Sequence, residues 1–330
     1  MHSDEREMLR GSLRRVLTET DPVKLPAALD EFGWPDLLAS DPAEAVPALF
    51  ETQGETVTAS PALNAVMAGP LLAAGRLDAG GARAGVGEWT VVLPGPGSGS
   101  GRAGPVLAVA AGAAVTRCLL VGQHDGHTTL AVVDTADGGR GGGPVESVDG
   151  VDPWLGLVRI VDRRSPPVRV AARGDAVSTA WAESVAAGRR ALAHELCGLG
   201  RAMLALAVDH ARERRQFGRP IGTFQAVKHR LADAKVALTA AEAAAGEAWA
   251  DPGPLTALLA KLWAGRAARL TGKQAQQVLG GMGFTWEHPF HRHVRRALVL
   301  DSLLGSTTEL TNELGRTLLL TGEVPQLARL

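Results

Sequence analysis

Two stretches of the C-terminal half combine residue types that can hold a diphosphate. Residues 211–233 (ARERRQFGRPIGTFQAVKHRLAD) place Arg214, Gln216, Phe217 and Gln225 around a helix end, a Gly-Arg-Pro turn and the next helix start. Arg214 is a permanent cation whose planar fork matches phosphate oxygens, and the two glutamines donate and accept hydrogen bonds without charge. Phe217 adds an apolar face. Residues 277–289 (QVLGGMGFTWEHP) carry Gly280 and Gly281, which end a helix, tolerate positive φ and let backbone approach a ligand closely. Taken singly, each has a plainer explanation as a helix stop or a surface charge at a helix C-terminus. Together they describe a diphosphate or nucleotide site between helices.

Other constellations are weaker. Gly99, Gly101 and Gly104 satisfy G-x-G-x-x-G, but Pro94, Pro96 and Pro105 crowd the stretch and no alternating βαβ pattern surrounds it, so a surface loop is expected. Glu287, His288, His291 and His293 fit no closed zinc spacing and read as solvated or capping side chains. His124-Asp125-Gly126-His127 reads as a hairpin turn, since Asp-Gly favours the twist that joins antiparallel strands. Cys118 and Cys197 are too few for a disulfide framework or a four-thiolate metal site. No metal site is expected.

The elements that must position the diphosphate residues are legible from periodicity. Segment 1–85 reads as short helices, with Pro26 near a first turn and Asp41 as a cap. Segment 86–174 changes to brief β-branched runs (EWTVVL, RCLLVG, TTLAVVD, GLVRIVD, PVRVAA) and predicts a small antiparallel β domain. Segment 175–330 returns to a 3.6-residue period, seen in Leu192, Leu196, Leu199, Met203 and Leu206, and predicts a helical bundle broken at 218–220, 251–254 and 280–283. The fold class is therefore mainly α with a small β domain.

Composition narrows the function. Lys plus Arg number 34 against 35 Asp plus Glu, a net charge of -1, so no basic field exists for nucleic acid or anionic lipid. The longest unbroken apolar run, 106–115, is well short of the roughly 20 residues of a membrane span, and the first residues lack the apolar core of a leader. The expected setting is cytoplasmic, with neither nucleic acid nor membrane as partner.

The two segments closely resemble the paired signatures of the acyl-CoA dehydrogenase family, R-x-Q-F-G-x-P-I-x-x-F-Q followed by Q-x-x-G-G-x-G-F-x-x-E-x-P. The resemblance implies a helical N-terminal domain, a middle β domain and a C-terminal four-helix bundle, with FAD bound across subunits. It assigns Arg214, Gln216, Phe217, Phe224, Gln225, Gln277, Gly280 and Gly281 to the adenosine-diphosphate end of that FAD. In the family a Glu base removes the α-proton of an acyl-CoA thioester while the β-hydride leaves for the flavin. Here Leu304 occupies one usual Glu position and Gly188, on the first bundle helix, the other. Glu195 and Glu309 are nearby carboxylates displaced from both places. The loop starting at Leu93 also lacks the family's Thr-Glu, and 106–122 lacks the Trp set against the isoalloxazine. The chain thus resembles the short, non-catalytic subunit of an α2β2 acyl-CoA dehydrogenase. Its implied partner is a full-length subunit that carries the Glu and most of the acyl-CoA site, with steroid side-chain CoA thioesters as a candidate substrate class. Two alternatives stay open: a self-sufficient dehydrogenase with a displaced base, and a redox-inactive acyl-CoA-binding scaffold.

Overall fold

The computed structural model describes residues 3–77, 85–94, 107–111, 113–135, 145–148, 150–160 and 168–322. Five helices open the chain: α1 (Ser3–Glu19), α2 (Leu25–Glu31), α3 (Trp34–Ser40), α4 (Pro42–Thr56) and α5 (Ala62–Gly75). Pro26, Pro35 and Pro42 sit in the first turns of α2, α3 and α4, where a missing N–H costs nothing. Asp41 does occupy the N-cap of α4, yet its side chain accepts no capping bond.

The β region forms two small sheets rather than one. The first has the order β1 (Thr90–Val91), β3 (Arg117–His124), β4 (His127–Asp134), β7 (Val168–Arg173). The second has the order β2 (Leu107–Val109), β6 (Leu157–Ile160), β5 (Val145–Ser147). Pairing is antiparallel as expected except at β1, which runs parallel to β3. His124 pairs with His127 across a two-residue turn in which Asp125 and Gly126 both have positive φ, 50° and 76°, the geometry that Asp-Gly favours. The glycines at 99, 101 and 104 lie outside the described residues.

The bundle begins with α6 (Asp175–Glu213), then a hairpin of β8 (Arg215–Gln216) and β9 (Arg219–Pro220), then α7 (Gln225–Ala250) and α8 (Pro254–Leu279). A 3-10 turn (Gly280–Phe284) leads to α9 (Phe290–Ser302) and α10 (Thr307–Thr321). Every break read from the sequence falls between helices. By length and composition α6 is long and apolar enough to cross a bilayer, a pattern that the longest unbroken apolar run, 106–115, does not single out. However, 67% of its apolar window is buried inside the protein, because α6 is the central helix against which α4, α5, α7, α8 and α9 pack. The crossing with α4 is tight: a Cβ on Gly54 would collide with Glu195 O, and one on Gly198 with Glu51 O.

One continuous apolar core runs from Leu13 through Leu49, Val91, Leu130 and Leu196 to Leu304, so the three sequence segments share an interior. A charged knot crosses the same interior. Arg296 of α9 is fully buried; its Nε donates to Asp152 of the β region, and its Nη1 donates to Thr58 O (3.1 Å) and Glu195 Oε1 (3.3 Å). Removing one member of such a set leaves the others charged and unpaired, a loss of about 3–5 kcal/mol.

Candidate functional site

The diphosphate residues converge on one end of the bundle. Helices α7 and α8 run antiparallel, tied by Arg230 Nη1 donating to Gln274 Oε1 (2.8 Å), so Gln225 at the start of α7 lies at the same end as Gln277 in the last turn of α8. Arg214 is the C-cap of α6, where its N–H donates to His210 O (2.9 Å), and Ile221 N–H returns to Arg214 O (2.8 Å) to close the hairpin. Phe217, at the hairpin tip, has φ 52° and is 91% exposed. A left-handed aromatic residue is strained, and such strain clusters where a side chain must be presented. The Phe217 ring meets Phe224 edge-on at 6.1 Å, and Arg219 lies over Phe224 at 4.4 Å. Gln216 Nε2 turns back to Arg215 O (2.8 Å). Among the described residues, the side chains of Arg214, Gln225 and Gln277 have no hydrogen-bond or ion-pair partner.

The glycine pair divides its work differently from the expectation that both use positive φ. Gly280 has φ 60° and is the C-cap of α8, whereas Gly281 stays outside the left-handed region. Nothing stands within 4 Å of a Cβ built on either residue. The surface beside them is open, and Phe284 (78% exposed) and Trp286 (66% exposed) face outward from the same turn.

The two positions where the family resemblance expects a base, Leu304 and Gly188, lie side by side. Leu304 is buried with φ 55°, and a methyl built on Gly188 would sit 2.5 Å from Leu304 Cδ1 and 2.8 Å from Met67 Sδ. Leucine at one position therefore fills the room left by glycine at the other. Two cations fasten this turn. Arg189 Nε donates to Leu304 O (3.0 Å) while its Nη1 and Nη2 bind Glu313 (3.1 and 2.9 Å). Lys261, fully buried on α8, donates to Asp301 O (3.0 Å) and Gly305 O (2.7 Å). Neither Arg189 nor Lys261 stands out in the sequence motifs; the clue is a lone Lys at an apolar position of ALLAKLWAG.

Burial pushes the Lys261 ammonium down to about 7, against the attraction of Asp301. A lysine lowered in the folded state adds stability above its unfolded value of 10.5 that is lost as pH falls through 7. Lys261→Met leaves two carbonyls unpaired, so it is expected to cost about 1–2 kcal/mol at alkaline pH and progressively less toward pH 7, as read from urea midpoints across that range.

The displaced carboxylates are occupied elsewhere. Burial raises Glu195 to about 7, with Arg296 opposing, and the void beside it is about 10 Å³, room for no more than a water molecule. Glu309 caps α10, accepting from Ser306 N (2.8 Å). A cleft of about 350 Å³ lies between α1, α4, α6 and α7. There His194 Nδ1 bonds Glu51 (2.9 Å) and its Nε2 accepts from Trp249 Nε1 (3.0 Å), so neither ring nitrogen is free to take a proton from a ligand. The His288 Nδ1 accepts from Phe290 N (3.2 Å), a cap on α9.

Short helices, a two-sheet β unit and a long-helix bundle make up the architecture of the chain. Residues 179–319 match the acyl-CoA dehydrogenase C-terminal domain, and the chain as a whole has the fold of solved acyl-CoA dehydrogenases. The acyl-CoA dehydrogenase IpdE2 of Mycobacterium tuberculosis is 42% identical over 123 residues, 37% of this chain and 39% of that relative, so the aligned part spans well under half of it. In three dimensions, the Tcur3481-Tcur3483 steroid ACAD superposes with a TM-score of 0.72 at 22% identity, covering 97% of this chain and 99% of that one. The ChsE4-ChsE5 complex from Mycobacterium tuberculosis gives 0.70 at 20% identity, covering 99% of both chains.

FAD is the cofactor of this family. Its diphosphate end fits the residues present: a guanidinium and two amides without hydrogen-bond or ion-pair partners among the described residues, a helix end at Gly280 and Gly281 where a Cβ would meet nothing within 4 Å, and the exposed ring of Phe217.

Proposed function

We propose that this chain is the non-catalytic, FAD-sharing subunit of a heteromeric acyl-CoA dehydrogenase, in which a full-length partner supplies the glutamate base and most of the acyl-CoA site. The observation that carries the reading is the packing around Gly188, where Leu304, itself at one of the positions expected to hold the base, and Met67 leave no room for a side chain at the other. The exposed, partnerless diphosphate face supports it from the other side, because a surface of this kind is completed by something outside the chain. The resemblance to steroid ACAD complexes extends the reading to bulky steroid side-chain CoA thioesters as substrates.

FAD, when bound, supplies the hydride acceptor. The chain's own contribution is to hold the far end of it. Arg214 offsets the diphosphate charge with its fork, Gln216, Gln225 and Gln277 offer amide donors, and Gly280 lets backbone come close. Phe217 and Phe224 shield these charge-assisted bonds from water, which strengthens them. Leu304 and Met67 keep a proton acceptor and water away from the closed pocket.

Expressed alone, the chain is expected to be colourless and inactive toward acyl-CoA thioesters; co-expressed with a full-length relative, it is expected to appear in a larger, yellow species by native mass and flavin absorbance. A yellow, active assembly of this chain by itself would overturn the reading.

A further inference from the structure

We infer that His210 and His288 are further members of the flavin half-site, forming with Arg214 a cationic rim that loads protons as it takes the FAD diphosphate and so holds FAD more tightly as pH falls. The inference rests on the half-site reading above. It starts from position. His210 lies one helical turn before Arg214, its carbonyl bonded by the Arg214 N–H, so both side chains leave the same end of α6. His288 comes to this end from the segment before α9, where Nδ1 is engaged by Phe290 N–H and the ring packs 6.5 Å from Phe290. With Nδ1 accepting, the proton of the neutral ring sits on Nε2, the nitrogen directed away from the helix.

The charges around the pair are mostly of one sign. His210 is faced by Arg214 and Glu213 at its own helix end and by His288 from the neighbouring segment. His288 is faced by His291 of α9 and by His210. Partial burial and these cations hold both imidazoles below their ordinary range, with burial the larger cause in each. The carboxylate of Glu213 offsets this only in part. An imidazole beside Arg214, with a second imidazole facing it, is therefore poised for an incoming dianion. A diphosphate seated on Arg214 reverses the sign of the local field and favours the imidazolium form, so the bound state holds protons that the empty state does not. By linkage, affinity then rises as pH falls through the imidazole range, by up to about tenfold for each group whose titration midpoint moves by about one pH unit. His293 takes no part: it is buried and bonded to Pro289 O and Glu55 O.

The test uses the complex with its catalytic partner, over the pH interval in which its native mass is unchanged. FAD dissociation is followed by the fluorescence of released flavin from pH 5.5 to 8. For the wild type, retention is expected to tighten on the order of tenfold toward the acid end. The double variant His210→Gln, His288→Asn keeps a neutral hydrogen-bonding group at each place, including an acceptor for Phe290 N–H. It is expected to lose the acid-side gain, with its retention changing less than about twofold from pH 5.5 to 8. A pH slope that is absent in the wild type, or equally steep in the double variant, overturns the rim. If Arg214→Met loses flavin while the histidine variant keeps the wild-type slope, the half-site stands and the rim falls. If Arg214→Met keeps all its flavin, the half-site itself falls.

Discussion

Leu304→Glu is expected to leave the chain without activity and to lower its unfolding free energy by about 3 kcal/mol, even though it restores the residue type the family places there. Leu304 is buried beside Gly188, where Met67 also packs, and its backbone is held by Arg189. A carboxylate there loses the leucine's hydrocarbon contacts and meets a thioether and a helix backbone instead of water. The neighbouring guanidinium of Arg189 is already committed to Glu313 through two bonds. Burial raises the pKa of such a carboxyl, so the variant is least penalised in acid, where both states are protonated, and the penalty grows as pH rises through the unfolded carboxyl value of about 4.3. Denaturant midpoints at pH 5 and pH 8, with an acyl-CoA turnover assay beside them, read both parts. A gain in turnover would mean that an acyl-CoA pocket persists beside Leu304.

Arg214→Met is expected to weaken FAD retention by the complex roughly ten- to a hundredfold. A charge-assisted contact to a diphosphate contributes about 1.5–3 kcal/mol, and methionine keeps the side chain's length and apolar stem while deleting the fork. Because the Arg214 side chain has no hydrogen-bond or ion-pair partner among the described residues, its loss should leave folding almost unchanged, so the effect falls on ligand retention. Gln277→Ala acts in the same direction with about a fivefold loss, since a neutral hydrogen bond is worth about 1 kcal/mol net. Both are expected to recover at high FAD by mass action, whereas loss of the partner's base would not. Equilibrium dialysis followed by flavin absorbance measures this. Full flavin content in Arg214→Met after dialysis would reduce the motif to a packing role.

The helical ends, the bundle breaks and the Asp125-Gly126 hairpin were legible because each depends on local chemistry: Pro at a first turn, Gly at a cap, Asp-Gly at positive φ. The residues expected to hold a diphosphate sit within two short segments, and the fold brings those segments to one end of the bundle. What could not be read is what depends on distant segments meeting. The parallel pairing of β1 with β3 joins strands far apart in sequence. The contact of Leu304 with Gly188 joins α6 to the turn before α10, so two apparently independent gaps in the sequence turn out to be one complementary packing event. Arg296 reads as one more arginine in RHVRRA, yet it is fully buried between Asp152 and Glu195. Gly281 was misjudged because its neighbour Gly280 alone supplies the positive φ.

The most direct test of the shared-cofactor account is the ratio of flavin to chain in the purified complex with its full-length partner, by absorbance against protein mass. On the proposed reading, the expected result is one flavin for each pair of unlike chains, with turnover abolished by removing the partner's glutamate. One flavin per chain, or turnover that survives loss of the partner's glutamate, would contradict it.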